Sequence, residues 1–254
     1  MIRTLILFIF SLALLACSSQ QENNAENSQQ ENAVDEDKVQ FSSSESEGWT
    51  MLFDGSGTDH WVELGTNRFP ENGWVIENGA LVLNEGGNIV TREQYSDFDL
   101  SFEFNLTEGA NSGIKYYVAE LTNEKSSDTV MNGPEYQIID DVDNPDIQDR
   151  KDETVTTAAL YLLYSPENKK LLPPGQWNQG RIVSKDNQVE HWLNGVKVVS
   201  YERGSQDFLQ KKMDTKFKNY PNYGEVPNGH IMLTDHHDKV YFRNIKIKRL
   251  KQNS

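Results

Sequence analysis

Beyond residue 48 the chain falls into short runs in which apolar and polar side chains alternate, or in which β-branched and aromatic residues cluster. Leu81-Val82-Leu83, Asp99 to Leu106, Gly113 to Val118 and Tyr136 to Ile139 are such runs. So are Gly180 to Val183, Val189 to Leu193, Val196 to Val199, His230 to Thr234 and Val240 to Ile247. This pattern predicts strands. Asn194-Gly195 between two runs predicts a two-residue hairpin. Gly133-Pro134, Pro173-Pro174-Gly175 and Asn228-Gly229 punctuate the rest. No long window has a convincing helical period. Many short strands with few helices predict an all-β fold, a sandwich or jelly roll.

Alternation sorts these residues into faces. With Ile114, Tyr116 and Val118 inward, Lys115 and Tyr117 point the other way. Tyr136 and Ile138 read as core, which turns Glu135 and Gln137 outward. Ile231 and Leu233 read as buried, so Met232, Thr234 and His236 face out. Val189 and Leu193 pack inward with His191, leaving Glu190 and Trp192 out. Placed in one sheet, these strands gather Lys115, Tyr117, Glu135, Gln137, Glu190, Trp192, Thr234 and His236 on a single face. Such a face suits a sugar, whose apolar ring surfaces stack on Trp or Tyr while polar groups bond its hydroxyls. The competing reading is an ordinary solvated sheet face. His191 reads as a hydrogen-bonded core histidine, and Trp49, Trp61 and Trp74 as core. Trp177-Asn178 reads as a structural corner. Asp140-Asp141 and Asn111-Ser112-Gly113 read as turns, with Asn111 also a site candidate.

Composition changes the picture at the N-terminus. Arg3 and the apolar run Leu5 to Leu15 resemble a secretory signal too short to span a bilayer. Leu14-Leu15-Ala16-Cys17 resembles the bacterial lipobox, and Cys17 is the chain's only cysteine. This predicts a signal peptide over 1–17, a lipid anchor on Cys17 and a periplasmic or cell-surface location on a bacterial membrane. Residues 18–47 are rich in Ser, Gln, Asn and Glu and read as a disordered acidic linker. The domain then occupies 48–250. A net charge of -15 argues against nucleic acid as partner. With no cysteine beyond residue 17, disulfides, thiolate nucleophiles and thiolate zinc sites are excluded from the domain.

The motifs now read together. Gly48-Trp-Thr-Met-Leu-Phe-Asp-Gly55 is followed by His60-Trp61, Asn111-Ser-Gly-Ile-Lys-Tyr116 and Gly133-Pro-Glu-Tyr-Gln-Ile-Ile-Asp140. Pro174-Gly-Gln-Trp-Asn178, Glu190-His-Trp-Leu-Asn-Gly195, Asp235-His236 and Phe242-Arg-Asn-Ile-Lys246 complete the series. In this order they resemble the 3-keto-disaccharide hydrolase family. That resemblance implies a concanavalin A-like β-sandwich of two antiparallel sheets with a concave ligand face. It also implies a lipoprotein that cleaves glycosides whose sugar carries a ketone at C3. One departure stands out. The family usually reads Leu-Gln-Asp-His-Gly where this chain has Leu233-Thr234-Asp235-His236-His237.

An ordinary acetal is cleaved by two carboxyl groups through an oxocarbenium-like state. A C3 ketone opens another route, because it acidifies the hydrogen on C2. A base forms the enolate, the C1 substituent is eliminated, and water adds back. This needs a base near C2, a positive or hydrogen-bonding group near the C3 oxygen and an acid near the leaving oxygen. Glu135 is the first candidate base or acid and His236 the second, since imidazoles titrate near neutral pH. Lys115 is a candidate for stabilising the enolate. Gln137, Tyr117, Glu190, Trp192, Asn111 and Thr234 are candidate substrate contacts. A divalent metal is the alternative electrophile, with Glu135 and His236 among its ligands, although no tight spacing demands one. Two rival functions stay open. One is a conventional sandwich-fold glycosidase, because Glu135 to Asp140 superficially resembles a laminarinase-type acidic strand. The other is a non-catalytic sugar-binding lipoprotein.

Residues 18–47 have little to pack with. A chain beginning at Gly48 is expected to be soluble and to unfold at the same temperature as one beginning at Ser18. Differential scanning calorimetry of the two chains checks this, and a large loss on truncation would mean that the linker docks on the domain.

Overall fold

The computed structural model describes residues 48–251 apart from Glu85, Asp149 and Lys151. The predicted signal, lipobox and linker lie outside the described residues. Among these, the first strands are β1 (Trp49–Phe53), β2 (Trp61–Glu63), β3 (Trp74–Glu77), β4 (Ala80–Leu83) and β5 (Ile89–Thr91). Then come β6 (Phe98–Leu106), β7 (Asn111–Thr122), β8 (Thr129–Asn132), β9 (Glu135–Ile139) and β10 (Asn178–Lys185). The chain closes with β11 (Gln188–Leu193), β12 (Val196–Glu202), a helix α1 (Gln206–Met213), β13 (His230–Asp235) and β14 (Val240–Arg249).

The strands form the expected β-sandwich. The first sheet runs β12-β11-β10-β6-β14-β4-β3, with β1 also paired to β14. The second runs β2-β5-β13-β7, and the far edge of β7 carries β9 and then β8. All the pairings are antiparallel. The Asn194-Gly195 hairpin joins β11 to β12, with φ of 48° and 79° at its two residues. Both lie in the left-handed region that this turn requires.

Alternation fills the space between the sheets. Phe98, Leu100, Phe102 and Phe104 of β6 are buried, as are Ile114 and Tyr116 of β7 and Tyr136 and Ile138 of β9. Phe102 meets Tyr136 edge to face at 5.3 Å. His191 of β11 is a core residue, as expected. Its Nε2 lies 2.8 Å from the Tyr116 hydroxyl and its Nδ1 3.0 Å from the Ala158 carbonyl. The Tyr116 hydroxyl also meets that of Tyr201 at 2.9 Å. This polar chain links the two sheets inside an apolar core, where each group needs its partner.

Three local expectations change. Asn111-Ser112-Gly113 is not a turn but the start of β7, because strands pair with it on both edges and override turn propensity. The alternation of β7 breaks at a bulge. While β13 advances from Met232 to His230, β7 advances from Lys115 to Val118. Tyr117 takes φ 51° and follows Tyr116 into the interior. Gly229 makes this possible, since a Cβ there would collide with the Tyr117 backbone. Finally, α1 is too short to leave a helical period in the sequence. Ser205 caps it by accepting the Phe208 N–H at 3.2 Å.

Burial holds the His191 imidazole neutral, with its pKa pushed down to about 4. Between this value and the unfolded value of 6.5, the unfolded chain binds a proton that the folded chain refuses. Stability therefore falls as pH drops through this window, by up to about 3 kcal/mol. Urea midpoints at pH 7 and pH 4.5 check this. His191→Gln should be less stable at pH 7 but lose less than the wild type between the two.

Candidate active site

The outer face of the second sheet is built from cross-strand rows. In one row Glu135 pairs with Lys115, Lys115 with Met232, and Met232 with Val90. The next row is Gln137, Gly113 and Thr234. In the third, Ile139 pairs with Asn111, while Ser112 pairs with Asp235 one step before His236. The structure thus brings Lys115, Glu135, Gln137 and Thr234 onto one face, as alternation predicts, and Asn111, read from sequence as part of a turn, joins them from the start of β7.

Glu135 sits at the centre and is 6% exposed. Its side chain lies across Gly113, where any Cβ would collide with the carboxylate. The Thr234 hydroxyl is 3.4 Å from Glu135 Oε1 and 3.3 Å from the Gly113 carbonyl. Lys115 Nζ is 4.0 Å from Glu135 Oε2 and donates to Asn132 Oδ1 at 3.1 Å. Gln137 Nε2 donates to the Val155 carbonyl at 3.3 Å, so its amide nitrogen already has a structural partner. The Asn111 N–H donates to Asp238 at 2.9 Å, yet the Asn111 Oδ1 is buried with no partner. A buried acceptor left open is costly unless a ligand or water completes it. At the other end of the face, Val62, Val90, Val118 and Met232 form an apolar floor.

Three candidates stand elsewhere. Tyr117 points inward because of the bulge. Its hydroxyl bonds Ser184 at 2.7 Å and the Arg203 guanidinium stacks 3.6 Å from its ring. Glu190 and Trp192 do face outward, but from β11, which belongs to the first sheet. Their face is on the opposite side of the sandwich. There Trp192 Nε1 donates to Glu190 at 3.0 Å and Lys197 pairs with Glu190 at 2.9 Å. The alternation was right and the choice of sheet was wrong.

The β13 register runs unbroken from Met232 to Asp235. A bulge at Asp235 is therefore absent. Asp235 ties down the strand end by accepting the Gly87 N–H at 2.7 Å and the His237 N–H at 2.6 Å. His236 follows as the first exposed residue past the strand. His237 takes φ 68°, a left-handed conformation that suits glycine, and its imidazole is 83% exposed. Among the described residues no group of three or more His, Asp or Glu is placed to hold a metal ion. The alternative with Glu135 and His236 as metal ligands thus has no third His, Asp or Glu beside it among the described residues.

Sequence reading missed Tyr161. It lies in an irregular strip alongside β9, where its N–H donates to the Glu135 carbonyl at 3.0 Å. The neighbouring bridge pairs Leu160 with Tyr136, both in the core. Tyr161 therefore shares the outer side with Glu135. Burial first, and then the Glu135 charge, raise its phenol pKa, while the nearby Arg150 opposes the rise. Left-handed residues at Ala158 and Leu162 interrupt any strand period there.

Residues 48–248 match the profile of the 3-keto-alpha-glucoside-1,2-lyase-like domain. The chain belongs to this family. A relative from Bacteroides thetaiotaomicron, described as a 3-keto-disaccharide hydrolase, is 30% identical over 278 residues, which span 93% of this chain and 94% of the relative. A solved structure of a candidate glycosyl hydrolase from Parabacteroides distasonis is 35% identical with a TM-score of 0.72, covering 82% of this chain and 96% of that one. A second candidate glycosyl hydrolase from that organism is 26% identical with a TM-score of 0.58, covering 80% and 99%. Where the sequence resemblance implies a glycine, His237 is left-handed, and where it implies a glutamine, the Thr234 hydroxyl lies against Glu135.

His237→Gly is expected to stabilise the fold by about 1 kcal/mol, because it removes a left-handed non-glycine residue. His236→Ala should leave the denaturation midpoint unchanged. Chemical denaturation of both variants tests the two placements together.

Proposed function

We propose that this protein cleaves glycosidic bonds of sugars oxidised to a ketone at C3, by C2 deprotonation, elimination and hydration. The observation that carries this reading is the seat of Glu135. One carboxylate is held over a glycine, beside a hydroxyl and an ammonium, on a face with an open acceptor and an apolar floor. Glu135 acts as the base at C2. Lys115 supplies positive charge beside it. His236, at the rim, delivers a proton to the leaving oxygen. Gln137, Thr234 and Asn111 orient the sugar. The B. thetaiotaomicron relative's described substrate class supports the choice of a 3-keto sugar.

A conventional glycosidase needs a second catalytic carboxyl group. Asp140 does not serve, since its oxygens accept the Gly109 and Val142 N–H groups at 2.8 and 3.1 Å. Outside the described residues, the reading keeps the lipobox expectation. Residues 1–17 are a signal, Cys17 carries the lipid, and 18–47 tether the domain outside the cytoplasm at a bacterial membrane.

Turnover of a 3-keto glycoside but not of its unoxidised parent is the expected result. Cleavage of both equally would favour the conventional glycosidase, and binding without cleavage a sugar-binding module. Glu135→Gln should fold and lose turnover by about 100-fold or more. Near-normal turnover by this variant would remove Glu135 from the reaction.

A further inference from the structure

The proposed reaction leaves one role without an occupant, the donor that meets the C3 oxygen as it becomes negative. Lys115 is a poor choice for it. Its ammonium is already shared between the Glu135 carboxylate at 4.0 Å and the Asn132 side chain at 3.1 Å. Another neighbour of Glu135 on the same face is Tyr161. Its backbone is fixed by the bond to the Glu135 carbonyl. Its ring packs on Ile139, Ile147 and Val155, with Lys216 Nζ 4.8 Å from the ring centre on the exposed side.

Resting on the proposed function, we propose that the Tyr161 hydroxyl donates the hydrogen bond that stabilises the C3 enolate. Glu135 takes the C2 proton. The C–H electron pair becomes the C2–C3 double bond, and the carbonyl π pair moves onto the C3 oxygen. Tyr161 bonds that oxygen without surrendering its proton. The carbonyl then re-forms as the C1–O bond breaks, and the departing oxygen leaves with the electron pair and takes a proton. Water adds across the C1–C2 double bond, hydroxyl to C1 and hydrogen to C2. A neutral donor suits this step, because it stabilises the enolate without quenching the adjacent base. Partial burial and the Glu135 charge keep the phenol protonated at neutral pH.

The test uses a 3-keto glycoside in D2O and reads turnover and deuterium at C2 of the released sugar. Wild type should turn over and place one solvent deuteron at C2. Tyr161→Phe should lower kcat by about 100-fold, the scale of losing one oxyanion donor. Its KM should stay within about threefold, as expected for an interaction made in the transition state. Its thermal midpoint should match the wild type. If wild type turns over with C2 deuteration while Tyr161→Phe keeps a third or more of its kcat, this assignment falls and the proposed function stands. Should Tyr161→Phe fail to fold, Tyr161→Leu removes the hydroxyl and keeps an apolar side chain, and a kcat at a third or more of wild type in it overturns the assignment. A wild type that cleaves without C2 deuteration, or not at all, overturns the reaction and the assignment together.

Discussion

The register of β7 between β13 and β9 is the constraint on which the rest of the molecule depends. One edge of β7 pairs with β13 and the other with β9 and β8. Its inner side chains, Ile114 and Tyr116, are fully buried. Burying a large apolar side chain is worth about 1.5–3 kcal/mol, so the phase of the strand is strongly set. A slip of one residue would bury Lys115 and turn Ile114 out to the working face. The bulge then changes the phase once, on purpose. Before it, β7 presents Asn111, Gly113 and Lys115 outward. After it, Val118 joins Val62, Val90 and Met232, so the polar centre gives way to an apolar floor. The price is a second tyrosine driven inward, and Ser184 and Arg203 satisfy it there.

Within that register the missing side chain of Gly113 matters as much as the side chains present. Glu135 could stand away from the sheet in water, as an exposed carboxylate would. Instead it lies down across Gly113, between Thr234 and Lys115. A carboxylate seated in this way is held in one place. Thr234 contributes through a short arm whose hydroxyl also reaches the Gly113 carbonyl.

Alternation alone made the centre of this face legible. Lys115, Glu135, Gln137 and Thr234 sit on strands with clean apolar partners, and period two needs nothing more. It failed where the physics is not local. Tyr117 turned inward because a glycine on a different strand, Gly229, leaves room for a bulge. Glu190 and Trp192 alternate as expected, but which sheet a strand joins is set by long-range pairing that its own sequence does not encode. Tyr161 escaped notice because its strip runs through two left-handed residues and shows no period. The eight-residue helix α1 escaped for want of length. The family resemblance carried the fold further than periodicity did, and it also pointed to 237 as a glycine position, where the backbone is indeed left-handed.

The inventory of the face argues for its chemistry. Acetal cleavage through an oxocarbenium-like state calls for two carboxyl groups at a set separation. Near Glu135 the other described ionisable partners include an ammonium and the phenols of Tyr161 and Tyr223, and Asp140 is absorbed in the turn that follows β9. Such a set is poor for an ordinary glycoside. It is well matched to a substrate that carries its own activating group, because a C3 ketone needs one base and one donor rather than two acids. The burden of lowering the barrier then moves from the protein to the substrate's carbonyl. What remains for the fold is to hold one carboxylate still against a sheet, and a glycine between two paired strands is enough to do that.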